Sequence, residues 1–233
     1  MRLIERDVLL CLLAVSAGSA DGWSYFGLSH AFVANMTGNT VLLGMSVFSI
    51  HGDALRLLTS IACYASGVII GSLLTRNAEP RGEDPRWPRQ IYLTLLLEAL
   101  LLAGAEAAWF MMHPTGVPHP THTFLHGWVA FAMGLQSAAM LQLKIPGVAT
   151  TYITGTWTTF MSSLTRLGKQ PPDEKQKLES RMSMQAAILA AYFLSAALTG
   201  WLFRYIPVAV GAVPALSVLF VATYGAMRPL LRR

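Results

Sequence analysis

Along the chain, apolar runs alternate with short polar stretches, and two of the apolar runs are interrupted from within. The runs at about 8–28, 55–75, 91–112, 123–143, 183–204 and 208–227 approach the roughly 20 residues that a helix needs to cross a hydrocarbon core. They predict six spanning helices. Two shorter apolar segments, 31–50 and 147–166, behave differently. The first contains FVANMTGNTVLLG (32–44), which puts Asn35, Thr37, Asn39 and Thr40 among apolar neighbours; the second contains TTYITGTWTTFMSS (150–163).

The polar stretches decide how those two segments run. RNAEPRGEDPRWPRQ (76–90) and RLGKQPPDEKQKLESR (166–181) are rich in Arg, Lys and Pro and read as linkers, while HPTGVPHPTHT (113–123) has Pro but no Arg or Lys. Basic residues also gather at the N-terminus and at Arg228, Arg232 and Arg233. Loops rich in Lys and Arg stay on the cytoplasmic side. If 31–50 crossed fully, the loop at 76–89 would fall outside. If both motif segments enter the membrane and return to the side they came from, all four basic clusters are cytoplasmic, and so are both termini. Only Arg56 and Arg204 are then left near the outer face. The pattern therefore predicts an all-α membrane protein with six crossings and two re-entrant, broken segments.

The two halves resemble each other. Gly18, Asp21 and Met36-Thr37-Gly38-Asn39 in the first half match Gly134, Ser137 and Ile153-Thr154-Gly155-Thr156 in the second, at nearly equal spacing. Small residues four apart follow each motif, Gly67 and Gly71, then Ala196 and Gly200, a spacing that lets helices approach closely. The expected organisation is a first repeat over 1–112, an external His/Pro loop over 113–122, and a second repeat over 123–233 with a cytoplasmic linker at 167–181. Three crossings per half make the second copy inverted, a plan common among secondary transporters, whose sites lie near the midplane. The N-terminus allows another reading. Arg2, Arg6, VLLCLLAV and then Ser16 to Ala20 have the order of a cleavable signal peptide. The apolar run continues to Leu28, however, and the repeat uses it.

Backbone that leaves the helix cannot face lipid, because its amide and carbonyl groups would go unpaired. Gly38 and Gly155 allow unusual dihedrals or close approach. Thr37, Asn39, Thr154 and Thr156 are expected to cap half-helices at about 40–50 and 157–166, each presenting free N–H groups and partial positive charge to the interior. Two such ends meeting from opposite faces would favour an anionic or acceptor-rich solute. Ordinary helix packing through Thr and Asn is the alternative.

The stretch DGWSYFGLSHAFVANMTGNTVLLG, followed by TTYITGTWTTF, resembles the YoaK family of bacterial integral membrane proteins, a domain of unknown function. The resemblance covers essentially the whole chain, and its first motif is the more specific. It implies a six-helix, multi-pass protein of the bacterial cytoplasmic membrane, with transport as one expectation and no established substrate. It also implies an acidic residue ahead of the first motif, here Asp21.

Asp21, Glu98 and Glu106 are the acidic residues expected well within spans, where a charge normally faces a cavity or a partner. Asp21 and Glu98 are the candidates for proton or ion coupling; Glu106 is expected near the outer interface. Gln136 and Ser137 occupy the repeat position of Asp21, and Gln136 is the expected partner of Asp21. Tyr25, Asn35, Thr151 and Tyr152 complete the candidate substrate site with the motif residues Thr37, Gly38, Asn39, Thr154, Gly155 and Thr156. His113, His119, His122 and His126 crowd one loop, but prolines interrupt it and no acid accompanies them, so a solvated loop is expected and no metal site.

Composition then narrows the class. The chain is 54% hydrophobic and 12% charged, about half the ordinary charged share, with a mean hydropathy of +0.48. The net charge of +5 belongs to the loops and gives no reason to expect nucleic acid. Cys11 and Cys63 lie in apolar runs and read as free thiols. No Gly-x-Ser-x-Gly, His-Glu-x-x-His or phosphate-loop pattern is present, so neither an enzyme nor a cofactor is expected. The expected function is a secondary transporter of a small polar or anionic solute, with proton coupling through the buried acids. A passive channel and a non-transporting membrane subunit are the alternatives. The expected partners are the lipid bilayer and the solute, and the composition is compatible with a homo-oligomer.

Overall fold

The computed structural model describes residues 2–48, 54–79, 87–112, 119–145, 150–151, 153–168 and 171–227. Among them there is no strand. The helices are α1 (Arg2–Trp23), α2 (Met36–Ser46), α3 (Ala54–Thr75), α4 (Arg89–Met112), α5 (His119–Leu143), α6 (Ile153–Leu164), α7 (Pro172–Tyr205) and α8 (Ala212–Met227). Six segments among the described residues are long and apolar enough to span: 5–28, 54–75, 89–112, 122–143, 174–205 and 207–225. The protein is an all-α membrane protein with six spanning helices and two short ones.

The short helices are the two interrupted segments. With 11 and 12 residues, α2 and α6 rise about 16–18 Å, roughly half of a hydrocarbon core. Each lies along the spanning helix that follows it in sequence, α2 on α3 and α6 on α7. Neither reaches across.

Helices α1 and α5 form the centre and are the most buried spans. Helix α1 packs on α7 and α8, α5 packs on α3 and α4, and α4 meets α8. Small residues permit the closest of these crossings. A Cβ on Gly67 would lie 3.0 Å from the carbonyl carbon of Phe131, and one on Gly71 would lie 2.7 Å from the Cβ of Ala138. On the outer faces, Ile69, Leu73, Phe193 and Leu198 are exposed, as lipid contact requires.

Three boundaries differ from the sequence reading, each for a physical reason. Helix α1 does not continue unchanged to Leu28. It widens into a π-helix over Ser24–Ser29, which ends at His30 with φ 54°, and the Ser24 hydroxyl donates to the Ala31 carbonyl at 2.8 Å. Helix α7 begins at Pro172, so most of the expected linker is helix. Proline is favoured in a first turn, and DEKQKLES is made of residues compatible with continuing it. Helix α5 takes in His119 to His126, because Pro120 falls in its first turn, where proline does no damage.

Candidate functional site

The break before α2 is held by Asp21, which is 4% exposed. Its Oδ1 accepts from the backbone N–H groups of Val33 (2.8 Å), Ala34 (2.7 Å) and Asn35 (3.4 Å), while its Oδ2 accepts a short hydrogen bond from the Tyr192 hydroxyl. A non-helical stretch thereby finds acceptors for three amides that lipid could not have served. Asn39 braces the same stretch. Its side-chain amide accepts from the Phe32 N–H at 2.8 Å, donates to the Phe32 carbonyl at 2.5 Å and donates to Ser60 Oγ at 2.9 Å. Ser60 in turn donates to the Phe32 carbonyl at 2.8 Å.

The cap of α2 is Asn35, whose Oδ1 accepts from the Gly38 N–H at 3.2 Å. The expected caps Thr37 and Asn39 lie inside the helix, which starts at 36 and not at 40; likewise Thr154 and Thr156 lie inside α6, which starts at 153 and not at 157. Gly38 serves close approach: a Cβ there would stand 3.0 Å from both the Asn35 amide nitrogen and the Phe32 ring.

The second break has neutral partners. Ser137 Oγ lies 2.8 Å from Thr151 Oγ1 and 3.0 Å from the Met133 carbonyl, and the Tyr64 hydroxyl donates to Ser137 at 2.7 Å. Two contacts correspond between the arrangements. Gly18 faces the carbonyl of Tyr192, whose hydroxyl reaches Asp21; Gly134 faces the carbonyl of Tyr64, whose hydroxyl reaches Ser137. On α7 the small side chains against α1 are Ser195, facing Gly18, and Thr199, facing Gly22, so the matching register lies one residue before the Ala196 and Gly200 expected.

Between the two breaks lies a cavity of about 470 Å³. Asn35, Met36 and Thr37 open one side of it, Thr151, Ile153, Thr154, Gly155 and Trp157 the other, with Ala34, Tyr64 and Tyr192 also in its wall. The starts of α2 and α6 thus both border one space. Asn35, Thr37, Thr151, Thr154 and Gly155 line it as candidates; Tyr152 lies outside the described residues. Gly38, Asn39 and Thr156 sit in the adjoining helix turns, the last two fully buried. Tyr25 stacks on Phe32 at 5.6 Å, away from the cavity lining. Sequence reasoning missed Tyr64, Tyr192 and Trp157. The two tyrosines lie mid-helix in ordinary apolar surroundings, and only the matched positions of the two halves could have singled them out.

The expected pair of Asp21 with Gln136 does not form. Gln136 is fully buried and donates to the Leu13 carbonyl at 3.0 Å and to Thr150 Oγ1 at 3.3 Å. The other acids separate sharply. Glu106 Oε2 accepts from the Gly211 N–H at 3.0 Å, which caps the start of α8. Glu98 is 0% exposed, and neither carboxyl oxygen has a hydrogen-bond partner among the described residues. His126, expected in a solvated loop, is instead buried, with its Nδ1 2.6 Å from Ser24 Oγ; His122 packs against Trp109.

Comparison with known proteins agrees with this architecture. The family model described as "Protein of unknown function (DUF1275)" matches residues 9–224. The UPF0700 transmembrane protein YoaK of Bacillus subtilis (strain 168) is 34% identical over 160 residues, covering 68% of this chain and 67% of that protein. No solved structure matches. A match from the first spanning helix to the last, joined to a six-span helical bundle, makes the chain a member of the DUF1275 family, to which its resemblance to YoaK had pointed.

Proposed function

We propose that the protein is a secondary transporter that moves a small polar or anionic solute across the bacterial cytoplasmic membrane, with both termini on the cytoplasmic side. The observation that carries this reading is the cavity of about 470 Å³ bordered by the starts of two half-length helices. Its volume suits a small metabolite. Its wall mixes hydroxyls, an amide and aromatic rings, and each half-helix start contributes partial positive charge. The matched contacts of Tyr192 with Asp21 and of Tyr64 with Ser137 support two inverted halves whose rocking opens the cavity to either side.

Within this reading the two buried acids divide the work. Asp21 is occupied by three amides and a tyrosine, and it latches the first break. Glu98 is the candidate for proton coupling, because a buried carboxyl without a partner among the described residues suits a group that takes up and releases a proton. Catalysis is no part of the proposal.

A thermal-shift screen of the purified protein against small metabolites identifies the solute, since a ligand that prefers the folded state raises its stability. Uptake of that solute into proteoliposomes then tests the mechanism. Saturable uptake driven by an imposed pH gradient, abolished by Thr154→Trp and made insensitive to the gradient by Glu98→Gln, is the expected result. Flux that is linear in concentration and indifferent to the gradient would replace the carrier with a channel.

A further inference from the structure

A second hollow, unrelated to the central cavity, lies between the start of α4 and the end of α8. It measures about 460 Å³ and is lined by Trp87, Arg89, Tyr92, Leu93, Leu96, Ala222 and Gly225. Its chemistry changes with depth. Arg89 stands exposed in the first turn of α4, and among the described residues it has no carboxylate partner. Trp87 and Tyr92 stack beside it at 5.7 Å. Leu93 and Leu96 continue the same face of α4, so the apolar floor ends about 10 Å below the arginine. Gly225 lets the Tyr92 ring pack directly against α8 at the edge of the hollow, since any Cβ there would run into that ring.

A cation, then an aromatic collar, then aliphatic side chains is the profile of an amphiphile that stands upright in a leaflet. Aromatic rings favour the headgroup level, and arginine between spanning helices recognises phosphate. In the sequence, Arg86 immediately precedes Trp87 and Arg228 immediately follows α8. A free anion would use only the arginine and leave the collar and floor unexplained. We infer that this hollow is a binding site for one anionic phospholipid, its phosphate on Arg89 and an acyl chain along Leu93 and Leu96.

The test uses the full chain in mild detergent, titrated with phosphatidylglycerol or with phosphatidylcholine of the same acyl chains, and reads retained lipid by native mass spectrometry. Wild type is expected to prefer phosphatidylglycerol. Arg89→Gln should weaken that lipid roughly fivefold and phosphatidylcholine, whose choline offsets its phosphate charge, by less. Arg89→Lys should recover part of the preference, and Arg204→Gln, at the opposite end of the bundle, should keep all of it. Equal retention of the two lipids by wild type would overturn the inference, as would an unaltered preference in Arg89→Gln. Water-soluble glycerol phosphate displacing the lipid at equal concentration would also overturn it, by assigning the site to a free anion.

Discussion

The two interrupted segments solve one problem with different chemistry. Before α2, a carboxylate gathers the amides of Val33, Ala34 and Asn35 and takes the Tyr192 hydroxyl on its other oxygen. Before α6, a serine joins Thr151 and the Tyr64 hydroxyl. Among the described residues, four donors converge on Asp21, while Ser137 makes single contacts with the hydroxyls of Thr151 and Tyr64. On these contacts the first break is the more strongly tied of the two.

Substitutions at matched positions sharpen this contrast. Asp21→Ala should have the largest effect: it strands the buried amides of Val33 and Ala34 and a tyrosine hydroxyl at once and should cost on the order of 3–5 kcal/mol, read as thermal stability in detergent. Gly18→Ala and Gly134→Ala come next. Both force a Cβ against a tyrosine carbonyl, and each should cost about 1–3 kcal/mol, as overpacking does. Their similarity would itself support the matched halves, and a tolerated Gly134→Ala would break the correspondence. Tyr192→Phe removes a donor from a carboxylate and should cost about 1.5–3 kcal/mol. Tyr64→Phe and Ser137→Ala remove one neutral contact each and should cost about 0.6 kcal/mol, the usual value between membrane helices. Equal losses for Tyr192→Phe and Tyr64→Phe would contradict the stronger tie at the first break.

Much of this was legible in the sequence, for identifiable reasons. Spans are written as length and hydropathy, so α3, α4 and α8 were expected within a few residues. The half-length of α2 and α6 followed from the arginines, because only returning segments put 76–89 with the other basic clusters. The ends of α1 and α4 and the start of α5 meet through Trp23, Trp109 and His122, which leaves Arg6, Arg89 and Lys144 toward the opposite end of the bundle. The starts of the half-helices were misread by four residues because Thr and Asn were credited as caps wherever they stood. Asn35, with Gly38 three residues on, carried the correct signal. Partners were the least legible. Tyr192 lies 171 residues from Asp21, and nothing local to either residue says that they meet. Gln136 was paired with Asp21 by repeat position, but its side chain points to the α1 backbone at Leu13. Repeat matching assigns equivalent places. It does not decide which equivalents touch.

The central claim is that the two breaks enclose a solvated cavity at half-depth. Single cysteines at Thr37 and Thr154, in a chain with Cys11→Ser and Cys63→Ser, report on it directly when a membrane-impermeant thiol reagent is added to one face of proteoliposomes at a time. Labelling of Thr37→Cys and Thr154→Cys from the aqueous phase, while Ala132→Cys in the packed core stays unreacted, is the predicted result. Failure of both cavity cysteines to react from either face would mean that the segments pack dry, and the transporter reading would fall.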